Sequence, residues 1–352
     1  MKNYGKNKNF IFNILILIFL SAVVFSIIFK NENKRALMLL LFSAKKIYIF
    51  FGVLCALIFI VGDAINTKRL LYMFNYKFTF LRTLKYAFVG FFFSGITPSA
   101  TGGQPMQIYE MKKDGVEISR STLALFVSML SNQLTSFFLG VLCLTWYLSQ
   151  NLYVSKGILS LVIVGLIINI CVIAFILLCI FNPKISLSFA KFLGFIINKL
   201  PFLQEGRKQT LKLSLQIQIE EYNIFSKYIV KNKLTLFKTF LTTCIQMVSM
   251  FGVSYLVYLS LGQDKYSVMD IISMQCLIYI ASSYMPLPGS VGVNETGFLL
   301  LFADIYPKNL INGALLLTRG INFYLLLIIS FLALILYKLF SAGKSPINIS
   351  KT

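Results

Sequence analysis

The chain of 352 residues contains no histidine, and only 12 of its residues are acidic. The missing imidazole excludes His-dependent catalytic triads, the commonest general base and the commonest nitrogen ligand for metals. Charged residues make up 13% of the chain, about half of their share in soluble domains, whereas 57% of the residues are hydrophobic. This composition argues against a water-soluble enzyme.

The sequence also lacks any cysteine motif. Its six cysteines form neither a C-x-x-C pair nor a small secreted disulfide framework. All six lie in apolar stretches, where a free thiol packs as a small hydrophobic group. We interpret them as packing residues and expect no metal site and no cofactor.

The basic residues are in large excess, with 33 Lys and Arg giving a formal net charge of +21. Such an excess is typical of proteins that bind nucleic acid or an anionic membrane surface. Long apolar runs favour the membrane, because a helix needs about 20 apolar residues to cross a bilayer core. The six runs that reach this length are residues 10–29, 47–65, 122–148, 157–181, 234–261 and 311–339.

The first run could also be a signal peptide, but no A-x-A cleavage site follows it, so we interpret it as a retained anchor.

Two further apolar segments are interrupted by Pro and Gly, at residues 97–105 and 286–292. Each contains a Pro-x-x-x-Gly motif, from Pro98 to Gly102 in the first and from Pro288 to Gly292 in the second. Paired interruptions in the two halves of a chain are typical of inverted repeats with a substrate site near the membrane midplane. We therefore predict two re-entrant segments, the alternative being simple helix kinks or loops.

The distribution of Lys and Arg predicts the orientation. With both interrupted segments re-entrant, most cations fall on the side that holds both termini, which are therefore expected in the cytoplasm. Residues 183–233 resemble a cytoplasmic or interfacial amphipathic segment, although residues 211–220 alternate like a strand. The predicted fold is an all-α polytopic membrane protein, with one transmembrane domain over residues 1–340 and a short cytoplasmic tail over residues 341–352.

Three ionisable residues lie inside apolar segments, where a charge costs about 2.5 to 3.5 kcal/mol and is usually functional. Arg319 lies in the last span, with Asn312 and Asn322 on the same helical face. Glu295 follows the second interruption and is the natural partner of Arg319, although the pair could be purely structural. Asp63 lies near the inner end of the second span, where a plain interfacial carboxylate is an equal alternative.

Other polar residues within the spans are expected to join helices through hydrogen bonds. Ser128, Asn132 and Ser136 recur at intervals of four and share one face. Gln246 and Gln275 are isolated amides in apolar surroundings. Such residues connect membrane helices more often than they contact a substrate.

The two interrupted motifs, their order and the later intramembrane Arg resemble the transmembrane domain of lysylphosphatidylglycerol synthase, the multiple peptide resistance factor family. The resemblance covers nearly the whole chain. It implies a flippase-like domain of the bacterial cell membrane that moves lysyl-phosphatidylglycerol, or a related lipid-linked substrate, between leaflets. It also implies resistance to cationic peptides.

The resemblance assigns individual residues. Glu295 matches the acidic residue that closes the second motif, Arg319 the Arg of the final span, and Asp63 the Asp at the end of the second span. Many relatives carry Glu where this chain has Gln104, which leaves only hydrogen bonding there. The expected substrate-binding residues are Glu295, Arg319, Asp63, Gly102, Gly103, Gln104, Pro288, Gly289, Gly292 and Asn322.

The expected partner is a phospholipid, phosphatidylglycerol or its lysyl ester, whose phosphate fits the N-terminus of a half-helix. In the full-length synthase, a soluble domain transfers lysine from lysyl-tRNA. We expect that domain to be missing here, because the chain ends soon after its last span. Two alternatives are a phosphatidylglycerol lysyltransferase membrane subunit with a separate soluble synthase, and a scaffold that transports nothing. The oligomeric state is open.

Overall fold

The computed structural model describes residues 40–150, 156–181 and 231–341, with six isolated positions between residues 15 and 26. Ten α-helices and no β-strand occur in these residues, which confirms the all-α prediction. The helices are α1 (Lys46–Met73), α2 (Phe80–Ile96), α3 (Gly103–Lys113), α4 (Ile118–Ser149), α5 (Lys156–Phe181), α6 (Lys233–Ser260), α7 (Val268–Ser282), α8 (Val293–Leu301), α9 (Ile311–Arg319) and α10 (Leu326–Ser341). A π-helical turn, Gly320–Leu325, joins α9 to α10.

Five of the six predicted spans are confirmed as helices long and apolar enough to cross a membrane. They are Lys46–Met73, Ile118–Ser149, Gly157–Ile180, Lys233–Ser260 and Ile311–Leu339. The predicted span over residues 10–29, nearly all of the amphipathic segment and the C-terminal tail lie outside the described residues.

Helix α1 is two turns longer than the apolar run predicted. It continues past residue 65 because its polar end packs against α6. The Arg69 guanidinium donates from Nη1 to Asn66 Oδ1 at 2.8 Å and to Thr242 Oγ1 at 3.1 Å. These bonds satisfy polar groups that the apolar pattern alone would place outside the helix.

The long helices α1 and α6 pack against each other in antiparallel directions. The Lys45 N–H donates to the Ser260 carbonyl at 2.8 Å, at the end of the pair that we call face B. Near the opposite end, face A, Asn66 Nδ2 donates to Thr243 Oγ1 at 3.1 Å and to Gln246 Oε1 at 3.2 Å. The first helix of each half of the chain therefore runs in the opposite direction to the other.

Helices α2 and α3 form a hairpin that enters from face A, which we call hairpin A. Gln107 Nε2 donates to the Tyr86 carbonyl at 3.1 Å, and Lys85 Nζ lies 2.6 Å from Glu110 Oε2. Nearer the turn, a Cβ on Gly103 would collide with Ser94. The chain thus goes in along α2, turns at residues 97–102 (tip A) and returns along α3.

Helices α7 and α8 form hairpin B, which enters from face B. Asn294 Nδ2 donates to Ser282 Oγ at 3.2 Å, and the Ser290 hydroxyl donates to the Ser282 carbonyl at 2.9 Å. The chain turns at residues 286–292 (tip B) and returns along α8. Both interrupted segments are therefore re-entrant hairpins, as predicted, and not kinks within continuous spans.

The two tips meet inside the protein. The first helices of the two hairpins, α2 and α7, contain 17 and 15 residues. Their lengths of about 25 and 22 Å are short of the roughly 30 Å of a bilayer core. Because they enter from opposite faces, their ends overlap near the middle of α1 and α6. There the Ser99 hydroxyl lies 3.5 Å from the Met285 carbonyl.

A single offset of 190 residues relates the two halves. Adding it to the first residues of α1, α2, α3 and α4 gives the first residues of α6, α7, α8 and α9 within three positions. The same offset converts Pro98 into Pro288 and Gly102 into Gly292. With opposite chain directions, residues 46–149 and 233–341 are an inverted repeat, which we call repeat 1 and repeat 2.

Candidate functional site

Both tips adopt the same backbone conformation. Each begins with a proline and then places two residues in the left-handed region, with φ of 50° and 55° at Ser99 and Ala100, and of 59° and 51° at Gly289 and Ser290. Left-handed backbone costs about 1 to 2 kcal/mol for a residue with a side chain. Three of the four positions carry that cost, and strain of this kind concentrates at functional sites.

The tips differ in exposure. Residues 98–101 of tip A are exposed, whereas Pro288 and Val291 of tip B are buried. Irregular backbone at membrane depth is tolerated where it is buried in protein or lines an aqueous cavity. Tip B meets the first condition, and the exposure of tip A fits the second.

Arg319 and Glu295 form a buried ion pair next to tip B, as the sequence predicted. Arg319 Nε lies 2.6 Å from Glu295 Oε1, with side chains 9% and 0% exposed. Arg319 Nη2 also donates to the Gly289 carbonyl at 3.0 Å. The pair therefore ties the last span to the left-handed turn of tip B.

Glu295 uses its second oxygen to cap helix α8. The Gly292 N–H, at the helix N-terminus, donates to Glu295 Oε2 at 2.6 Å. A carboxylate in the first turn also complements the positive end of the helix dipole. Both carboxylate oxygens thus accept a hydrogen bond within the protein, and the side chain has no exposed surface.

Aromatic rings cover the guanidinium of Arg319. Its Cζ lies 4.7 Å from the centre of the Phe323 ring and 5.9 Å from that of Tyr324. Both rings belong to the π-helical turn, a type of local expansion found frequently at functional sites. Phe323 also packs against Gly289, where a Cβ would collide with the ring.

Among the described residues, tip A has no equivalent charged pair. Gly102 donates its N–H to Thr97 Oγ1 at 2.9 Å, and Gly103 lies so close to the Gly90 carbonyl and Ser94 that only glycine fits. Gln104 is half-buried, and no hydrogen bond to its amide is seen within the described part of the chain. The N-terminus of α3 consequently carries no carboxylate, unlike that of α8.

Asp63 lies away from the ion pair. Its Oδ2 accepts a hydrogen bond from Gln107 Nε2 at 3.4 Å, which links α1 to the returning helix of hairpin A. Arg69, six residues later, instead bonds Asn66 and Thr242. The structure thus brings together Glu295, Arg319, Gly289 and Gly292 and places tip A beside them, but it positions Asp63 beside the middle of hairpin A.

Several polar residues join helices, as the sequence predicted. Gln246 Nε2 donates to the Phe59 carbonyl at 2.8 Å, and Ser254 Oγ donates to Gln275 Oε1 at 2.8 Å. The stripe of Ser128, Asn132 and Ser136 differs, because none of the three has a hydrogen bond to another helix among the described residues, and Asn132 is half-buried.

Sequence reasoning missed the acceptor role of the Gly289 carbonyl, the aromatic cover and Gln107. A conformation-dependent carbonyl leaves no sequence signal. The equivalence of Asn132 and Asn322, which was also missed, does leave a sequence signal, because the two residues are 190 positions apart.

Known membrane proteins resemble this chain over most of its length. A family model described as "Lysylphosphatidylglycerol synthase TM region" matches residues 11–330. A UPF0104 membrane protein of Archaeoglobus fulgidus is 23% identical over 318 residues, covering 87% of this chain and 92% of the relative. A UPF0104 membrane protein of Pyrococcus horikoshii is 23% identical over 283 residues, covering 79% and 83%. The names of the two relatives state a membrane location and no substrate.

Proposed function

The chain belongs to the lysylphosphatidylglycerol synthase TM region family, and from this premise we propose that it moves a phosphate-bearing lipid between membrane leaflets. The observation that carries the proposal is the meeting of two inverted re-entrant tips in the middle of the fold. A headgroup must leave water to cross a bilayer, so the protein has to supply polar groups at that depth. The tips supply them.

The anionic phosphate binds at tip A and at the N–H groups of Arg319 that do not contact Glu295 or Gly289. The first N–H groups of a helix have no intrahelical acceptor and carry the positive end of the dipole. In α8 that end is already neutralised by Glu295, whereas α3 begins with Gly103 and Gln104 and has no carboxylate in its first turn. Gly102 and Gly103 let α3 start close against α2, which places the N-terminus of α3 at tip A.

Glu295 acts as the counter-ion that holds Arg319 in place. An unpaired guanidinium would bind phosphate too tightly for release, whereas a paired one offers its remaining N–H groups to the headgroup at lower net charge. Gly289 and Pro288 shape the turn whose carbonyl completes the Arg319 contacts. Asp63 belongs to the same path beside the middle of hairpin A, where it would meet the cationic part of a lysyl headgroup.

The inverted repeat supports alternating access, in which rocking of one repeat against the other opens the tips to one face at a time. For orientation, face A carries most of the described cations. Those at face A are Lys68, Arg69, Lys77, Arg82, Lys85, Lys112, Lys113, Arg120, Lys231, Lys233, Lys238 and Lys338, and those at face B are Lys45, Lys46, Lys156, Lys265 and Lys308. The positive-inside rule therefore favours face A, and both termini, in the cytoplasm of the cell membrane.

Leaflet exchange in liposomes tests the function. Purified protein is reconstituted with fluorescent phosphatidylglycerol or its fluorescent lysyl ester, and a membrane-impermeant quencher reports how fast label reaches the outer leaflet. We expect exchange of at least one of the two lipids, with loss in the Arg319→Leu variant. Movement of the lysyl ester would connect the protein to cationic-peptide resistance, because that lipid lowers the negative charge of the outer surface.

Two outcomes would redirect the assignment. Folded wild-type protein that exchanges neither lipid would contradict the proposal for this substrate class. If in that case cells expressing the protein with a soluble synthase gained lysyl-phosphatidylglycerol, the lysyltransferase-subunit alternative would replace it.

A further inference from the structure

The two repeats place an asparagine at the same position of their last spans. The offset of 190 residues converts Asn132 of α4 into Asn322 of the π-helical turn. The neighbouring Ser128 becomes Thr318, and Ala124 and Leu125 become Ala314 and Leu315. Identity at an asparagine inside two apolar helices of opposite direction marks a feature that both halves retain.

The residue that follows each asparagine contacts the hairpin of the other repeat. The residue after Asn132 is Gln133, whose Oε1 accepts a hydrogen bond from the Tyr284 hydroxyl of hairpin B at 3.0 Å. The residue after Asn322 is Phe323, whose ring contacts the position of Gly95 in hairpin A. Tyr284 and Gly95 each lie a few residues before a tip, so both asparagines are at tip depth.

Neither carboxamide has a hydrogen-bond partner in the part of the chain that the structure describes. Asn322 is only 8% exposed and its Oδ1 is unpaired. Asn132 is half-buried. Buried polar groups are almost always hydrogen-bonded, and an orphaned one in a native structure requires an explanation. Asn322 is such a group, and the equivalent position of repeat 1 holds a half-buried amide that likewise has no hydrogen-bond partner among the described residues.

We propose that Asn132 and Asn322 are an equivalent pair of headgroup ligands, one from each repeat, that bind the lipid phosphate and its adjacent hydroxyl or ammonium group during passage between the tips. A carboxamide suits this task because its NH₂ donates to phosphate oxygens and its oxygen accepts from a hydroxyl or ammonium. Having no charge, it also releases the headgroup readily. This inference rests on the proposed lipid transport and names two of its binding residues.

The test uses the full-length protein in liposomes with fluorescent phosphatidylglycerol. The variants are Asn132→Leu and Asn322→Leu, with Asn132→Gln as the conservative change. Asn169→Leu is the matched control, because Asn169 is also buried with an unpaired Oδ1 but lies in α5, outside both repeats. Thermal unfolding in detergent is measured for every variant.

We expect Asn132→Leu and Asn322→Leu each to slow leaflet exchange at least tenfold without lowering the unfolding temperature, because removal of an unpaired polar group does not destabilise a fold. Asn132→Gln should retain part of the activity, and Asn169→Leu should transport like wild type. Wild-type rates in both Leu variants would overturn the proposal that the two asparagines bind the headgroup. A fall in the unfolding temperatures of these variants that accounts for the lost transport would also overturn it. A wild-type protein that moves no lipid would overturn the proposed function itself.

Discussion

Removal of one partner of the Glu295–Arg319 pair should destabilise the protein far more than removal of both. Glu295 is fully buried and its two oxygens accept from Arg319 and from the Gly292 N–H. In the Arg319→Met variant the carboxylate keeps only the N–H bond and loses its counter-charge. Breaking a buried pair in this way costs about 3 to 5 kcal/mol.

The double variant Glu295→Gln with Arg319→Met leaves no charge in the site. The amide oxygen introduced by Glu295→Gln can still accept from the Gly292 N–H, so the cap of α8 is retained. We expect the double variant to recover more than half of the stability lost in Arg319→Met, while transport stays abolished because the guanidinium is absent.

The assay is a double-mutant cycle of unfolding free energies in mixed micelles, measured for wild type, both single variants and the double variant. The structure predicts a coupling free energy of about 2 kcal/mol or more, because the two groups are in direct contact in a buried site. Coupling below about 0.5 kcal/mol would mean that the charges do not interact in the folded protein, and the geometry of tip B would have to be revised.

Three further predictions concern the backbone and the helix contacts. Gly289→Ala should cost about 1 to 3 kcal/mol in unfolding experiments, because φ is 59° there and the new Cβ meets the Phe323 ring, whereas Gly252→Ala, with open space, should be neutral or stabilising; equal stabilities would contradict the left-handed turn. Asn66→Leu should lower unfolding stability by about 2 kcal/mol through lost bonds between α1 and α6, and no loss would argue against this pairing. Asp63→Asn should keep the bond to Gln107 and the fold but slow lysyl-lipid exchange relative to phosphatidylglycerol; equal slowing of both lipids would refute a role in recognising the cationic group.

The span pattern and the re-entrant hairpins could be predicted from the sequence because they depend on local properties. Apolar length sets which helices can cross the bilayer, and proline and glycine determine where a helix must stop. The Glu295–Arg319 contact was also predictable, since two opposite charges in apolar surroundings have few alternatives.

Other features depend on tertiary structure. The sequence left Asp63 as either a functional or a plain interfacial carboxylate, because its hydrogen bond to Gln107 depends on how α3 packs against α1. The polar stripe of α4 was interpreted as helix contacts, which left Asn132 without a distinct role. The inverted repeat of the structure gives the offset of 190 residues, and that offset shows that Asn132 corresponds to Asn322.

The most direct test of the account is to lock the two tips together and measure lipid exchange. Cysteines replace Ser99 and Met285, whose hydroxyl and carbonyl oxygens lie 3.5 Å apart, in a protein whose six native cysteines are changed to alanine. We predict that a short, reducible bifunctional thiol reagent joins hairpins A and B and stops exchange of labelled phosphatidylglycerol, and that reduction restores it. Exchange at the unlocked rate with the cross-link fully formed would contradict a path between the tips.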